Sequence, residues 1–61
     1  MRDNLLDAIA TAVRMKRGAY TWAEALSYAE IQFDLDEFQR EDLPRLARRQ
    51  YQRLQEQTHA D

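Results

Sequence analysis

Cysteine is absent from this 61-residue chain, which removes disulfides and thiolate metal ligands together. Glycine and proline occur once each, so the turns that punctuate a sheet protein are missing. The one histidine, His59, lies near the C-terminus without a companion ligand or nucleophile, and Ser27 is the one serine. No glycine loop is present to cradle a phosphate. No apolar run approaches the ~20 residues of a membrane span, and Met1-Arg2-Asp3-Asn4 leads into an alternating stretch rather than the apolar segment of a signal peptide. These absences exclude a zinc centre, a disulfide scaffold and the usual nucleophilic triads. They leave a cytoplasmic, non-enzymatic helical protein with no cofactor or metal and no membrane association as the expectation.

The length sets a further condition. A chain this short forms one domain and hides only about 60% of its unfolded surface. A single core of this size supplies no more than ~3–5 kcal/mol without disulfides, a metal or oligomerisation. With the first two removed, self-association is the remaining remedy, and a homodimer is expected. The 33% charged and 44% apolar composition is that of a globular chain rather than a disordered one.

What is present is a sorting of charge. Residues 1–18 carry Arg2, Arg14, Lys16 and Arg17 against Asp3 and Asp7, a net +2. Residues 19–42 carry Glu24, Glu30, Asp34, Asp36, Glu37, Glu41 and Asp42 against Arg40, a net −6. Residues 43–61 carry Arg45, Arg48, Arg49 and Arg53 against Glu56 and Asp61, a net +2, and the three blocks give the chain its −2. An acidic middle between basic ends suits antiparallel helices with complementary rims.

The apolar spacing predicts three helices. Asp3 or Asn4 caps the first, Leu5, Leu6, Ile9 and Val13 follow its 3.6-residue period, and Ala8, Ala10 and Ala12 stand between them. Arg14, Lys16 and Arg17 meet the negative end of its dipole, and Gly18 is expected to end it in the left-handed conformation. Thr21-Trp22-Ala23-Glu24 reads as a capping box, followed by a stripe of Trp22, Ala25, Leu26, Ala29 and Phe33. Next, Asp34 with Glu37, or Asp36 with Gln39, can cap a new turn, or the second helix can run on to Arg40. Pro44 is expected to start the last helix, with Asp42 or Leu43 as its cap and Leu43, Leu46, Ala47, Tyr51 and Leu54 as its stripe. The expected helices are thus about 4–17, 22–33 (alternatively to 40) and 44–57, with 58–61 a frayed tail. The fold class is all-α: a three-helix bundle, or a helical hairpin with a short first helix, completed by dimerisation.

Candidate sites follow from residues left over by this pattern. Tyr28 and Ile31 lie off the second helix's stripe, and with Tyr51 they are the expected contacts for a protein partner. Tyr20 is a further aromatic of this kind. Arg45, Arg49 and Arg53, four apart, line a face that can steer an acidic partner. The same arginines with Arg48 can contact phosphates, with Gln50, Gln52 and Gln55 beside them to read base edges. Against nucleic acid stands an acidic pI of about 5.3. The competing reading is that the arginines pair with Glu24, Glu30, Asp34 and Glu37 across a helix interface, or are simply solvated. The acids at 34–42 do not make an EF-hand: counting from Asp34, glycine is replaced by Gln39 and the closing glutamate by Arg45.

In its helix, Gly18, capping-box and Pro44 layout, the chain resembles the very short helical proteins encoded by temperate phages. The segments that carry the likeness are Asn4-Leu5-Leu6-Asp7-Ala8-Ile9-Ala10 and Tyr20-Thr21-Trp22-Ala23-Glu24-Ala25-Leu26. In size and style it is similar to the small open reading frame products of the lambda exo–xis region. The resemblance implies an accessory or regulatory protein of the bacterial cytoplasm that acts by binding host or phage proteins. It carries over no site residues.

Overall fold

In the computed structural model, which describes residues 4–58, the chain forms α1 (Asn4–Arg17), α2 (Trp22–Gln32) and α3 (Glu37–Thr58). The expectations for Asp3, His59 and the end of the tail lie outside the described residues. The all-α class and the short first helix are as expected, and the arrangement is a three-helix bundle rather than a hairpin. α1 is its central rod: it packs against both other helices, which hardly touch one another.

The two connections between the helices are closed by local hydrogen bonds that the sequence encodes. At the start of α2 the Glu24 amide donates to Thr21 Oγ1 at 3.2 Å and the Thr21 amide donates to Glu24 Oε1 at 3.3 Å, the expected capping box. A second box starts α3, where the Gln39 amide donates to Asp36 Oδ1 at 2.8 Å and the Asp36 amide to Gln39 Oε1 at 3.0 Å. This selects the Asp36–Gln39 alternative over the others, and α2 stops at Gln32. Asn4 does more than start α1, since its Nδ2 donates to the Phe33 carbonyl at 3.2 Å and ties the start of α1 to the end of α2.

Two expectations about backbone punctuation are corrected. Gly18 does not take the left-handed conformation; Ala19 does, with φ 78°. The Ala19 amide bonds to the Lys16 carbonyl at 3.2 Å and the Tyr20 amide to the Met15 carbonyl at 3.2 Å. That pairing is a Schellman motif, whose left-handed position falls one residue beyond the glycine. Asp34, with φ 49°, plays the same part after α2, where the Leu35 amide reaches the Glu30 carbonyl at 3.2 Å. An alanine in this region is strained by about 1–2 kcal/mol. Ala19→Gly is therefore expected to raise the urea midpoint, by roughly 1 kcal/mol after the freer unfolded chain takes back about 0.4–1 kcal/mol. A lowered midpoint would contradict this reading of the turn.

The second correction concerns Pro44. It lies inside α3, which begins at Glu37, and Asp42 and Leu43 are interior residues rather than caps. An interior proline costs about 3 kcal/mol through a lost amide bond and a ring clash with the carbonyl four residues back. Packing outweighs that cost. Leu43 and Ala47, one turn apart on one face, are both fully buried, and the Asp36–Gln39 box has already nucleated the helix upstream. Arg40 Nε, at the same turn, donates to the Leu35 carbonyl at 3.1 Å.

The core is built largely from small side chains. Of its eight buried residues, Ala8, Ala12, Ala25, Ala29 and Ala47 are alanines, so the helices approach closely and leave little room for larger groups. Val13, Leu35 and Leu43 complete it, with Leu5, Ile9, Met15, Trp22, Leu26, Phe33, Tyr51 and Leu54 packed around. Val13, Ala25, Ala29, Leu43 and Ala47 lie in the stripes expected for their helices, whereas on α1 Ala8 and Ala12 are buried and Leu6, placed in that helix's stripe, is 64% exposed. Leu35 was not expected in the core at all. It follows the left-handed Asp34, the position where a Schellman motif turns an apolar side chain back onto its helix.

Candidate interaction site

Topology converts the three charge blocks into two poles. The Asn4–Phe33 bond makes α1 and α2 antiparallel, and α3 starts beside that end and runs back to bring Tyr51 against Trp22. α1 and α3 therefore run in the same direction. Asp34, Asp36, Glu37 and Glu41 gather at one end of the bundle, and Arg14, Lys16 and Arg17 join Arg48, Arg49 and Arg53 at the other. α3, at 22 residues about 33 Å long, outruns the 14-residue α1 at about 21 Å and gives the molecule its 38 Å long dimension.

Trp22, the first residue after the Thr21 cap, is the hub of the basic pole. Tyr51 meets it edge-on with ring centroids 5.5 Å apart and planes at 83°. Lys16 Nζ and Arg48 Cζ each lie 5.9 Å from its ring centroid, a distance at which a cation is attracted by the ring face. Tyr51 is half-buried, and its hydroxyl accepts from Gln55 Nε2 at 3.0 Å. It is thus engaged in holding α2 to α3, and does not join Tyr28 and Ile31 on one surface.

Tyr28 and Ile31 remain exposed on the outer face of α2, Ile31 at 81%. Glu24 and Ser27 share this face by the i, i+3, i+4, i+7 rule, and all four are exposed. α2 carries Glu24 and Glu30 and no cation. Arg45, Arg49 and Arg53 are exposed on α3, well away from the buried positions Leu43 and Ala47. Arg45 pairs with Asp42 at 3.4 Å within the same helix. Among the described residues none of Arg45, Arg48, Arg49 and Arg53 forms an ion pair with Glu24, Glu30, Asp34 or Glu37, so the cross-helix pairing is not what occupies them. Phe38, 76% exposed in the first turn of α3 beside Glu37 and Glu41, was not singled out from the sequence. Its signal was available: it falls outside the stripe of Leu43, Ala47 and Leu54 once α3 is extended back to Glu37.

One groove lies between α1 and α3, enclosing about 310 Å³ and lined by Ala10, Val13, Arg14, Arg17, Gln50 and Leu54. Its floor is apolar and its rim is basic. Among the described residues no nucleophile and no carboxylate lines it. Among the described residues no helix is long and apolar enough to cross a membrane, and no three acids or histidines gather closely enough to hold a metal. Comparison of the chain with models of protein families, with curated proteins and with solved structures returns no match in any of the three.

Proposed function

We propose that this chain is a non-enzymatic interaction module that binds another protein through the outer face of α2. The observation that carries this reading is Ile31, a large aliphatic residue left 81% exposed beside Tyr28 on the one helix without a cation. An exposed apolar centre among carboxylates fits a partner with an apolar pocket and a basic rim: the pocket supplies burial, and the charges set orientation and encounter rate. Arg45, Arg49 and Arg53 act on a separate face, as a steering patch for acidic segments of the same or another partner. The proposal includes self-association of the module as a homodimer. In keeping with the phage resemblance, its partner is a host or phage regulatory protein met in the bacterial cytoplasm.

The test is capture by the immobilised chain from a bacterial extract, followed by titration of the purified species retained. Burying a residue of this size contributes about 1.5–3 kcal/mol, so Ile31→Arg is expected to weaken binding at least ~10-fold. Binding that survives Ile31→Arg and Tyr28→Ala together would remove the α2 face from the proposal. A second reading, a DNA-binding regulator using Arg45, Arg48, Arg49 and Arg53, is favoured by the gathering of the last three of these with Arg14 and Arg17 at one pole. It requires duplex binding that falls steeply with salt and weakens on Arg49→Ala or Arg53→Ala. No binding at low salt would end it.

A further inference from the structure

The α1–α3 groove continues beyond its lining residues in a way that identifies what fits it. Leu6, Ala10, Val13 and Arg17 stand at i, i+4, i+7 and i+11 of α1 and so share one face. The last three line the groove, and the first, Leu6, projects 64% exposed one turn before it. On α3, Leu46, Gln50 and Leu54 form the matching row, four residues apart. The surface is thus an apolar knob next to an apolar hole, with the small, exposed Ala10 between them.

A knob and a hole on one face are what an isologous contact needs, since there each residue must meet the residue that meets it. Turning a second copy antiparallel about an axis near Ala10 sets Leu6 of each chain into the other's groove. The charges flanking this face agree with that sense. Asp7 and Arg14 lie seven residues apart on one side of α1, equally spaced about the same centre, roughly 10 Å along the helix. In an antiparallel pair Asp7 of one copy opposes Arg14 of the other, twice over. On α3, Asp42 and Arg53 repeat the pattern, acid toward one pole and base toward the other. A parallel pair would set like charges against each other on both helices. The basic rim of the groove, Arg14 and Arg17, meets the acidic half of its partner only in the antiparallel arrangement.

We propose that the Leu6–Ala10–Val13 face of α1, with Leu46, Gln50 and Leu54 of α3, is the seat of a second copy of this chain docked antiparallel. The inference rests on the homodimer named in the proposed function, but uses a different face from Tyr28 and Ile31, which it leaves free. It also sends the two basic poles to opposite ends of the dimer.

Sedimentation equilibrium of the full chain tests it. The wild type is expected at twice 7.3 kDa in the micromolar range. Leu6→Glu, at an exposed position, should keep the helical circular dichroism and raise the dimer dissociation constant at least ~10-fold. Asp7→Arg and Arg14→Asp should each weaken the dimer alone. An equimolar mixture of the two variants should restore it, because both contacts between the unlike copies then join a cation to a carboxylate. A folding defect cannot produce that recovery. Ile31→Arg should leave the mass unchanged. A wild type that stays at 7.3 kDa overturns the inference together with the homodimer, while leaving heterologous capture through Ile31 to be judged on its own. A dimer indifferent to Leu6→Glu, one that Ile31→Arg dissociates, or a charge-reversed mixture that does not recover overturns the antiparallel face alone.

Discussion

Leu43→Ala is expected to leave most of the protein unfolded at room temperature. Leu43 is fully buried, and with Leu35 it is one of the two largest side chains wholly enclosed in the core. Truncating a buried leucine costs about 2–5 kcal/mol, because the lost transfer energy is joined by the cost of a cavity that only partly collapses. A core of this size has about 3–5 kcal/mol to lose. The position carries a second burden, since Leu43 immediately precedes Pro44 and its burial is what holds α3 helical through the proline. Loss of helical circular dichroism, and a urea transition moved close to zero denaturant, are the expected readings at fixed protein concentration. A loss of less than about 1 kcal/mol would show that Leu43 is not the anchor of α3.

Ala12→Leu should be nearly as damaging for the opposite reason. Ala12 is fully buried in α1, the rod against which both other helices pack. The alanine-lined approach of the helices leaves no space for three further carbons, so a leucine there must push α2 or α3 away. Overpacking of this kind costs typically about 1–3 kcal/mol, in a close-packed interior with few voids. The same change at Ala23, exposed near the start of α2, adds helix-forming bulk without entering the core and should cost little by comparison. Urea titration of the two variants side by side separates a packing effect from helix propensity. Equal losses at positions 12 and 23 would mean that α1 is not gripped on its Ala12 side.

The start of α2 was the most legible feature of the chain: Thr21 and Glu24 stand three apart, and their hydrogen bonds form within a single turn, needing nothing from the rest of the protein. The start of α3 was legible only as a candidate turn: Asp36 with Gln39 stood beside Asp34 with Glu37 and a second helix running on to Arg40, and the last helix was expected to begin at Pro44. Pro44 shows where local reading fails. Its intrinsic preference for a first turn is a matter of a few kcal/mol, and burial of Leu43 and Ala47, which depends on α1 being alongside, reverses it. On α1 the choice of core residues failed for a related reason, while the stripes of α2 and α3 held Ala25, Ala29, Leu43 and Ala47 as expected. Helical spacing alone allows Leu6 and Ala8 to compete for the inside, and only the closeness of two neighbouring helices selects the alanine.

The candidate surfaces divide in the same way. Tyr28 and Ile31 were legible because they lie off the α2 stripe whatever α2 packs against. Tyr51 was placed in the stripe of the last helix, where it packs, but its contact with Trp22 was not, since that depends on α3 returning to the start of α2. Phe38 was not assigned to a surface because a last helix starting at Pro44 does not contain it.

Composition and local spacing by themselves determined an all-α chain without cysteine, the capping box of α2 and the identity of α2's outer face. Those follow from interactions within a few residues. Tertiary structure decided that α3 continues through Pro44, that Ala8 and Ala12 rather than Leu6 face the centre, and that Arg14, Lys16 and Arg17 share one pole with Arg48, Arg49 and Arg53. Each of these depends on which helix lies beside which, and that is set by the direction in which α3 returns along α1, a property no short stretch of the chain contains.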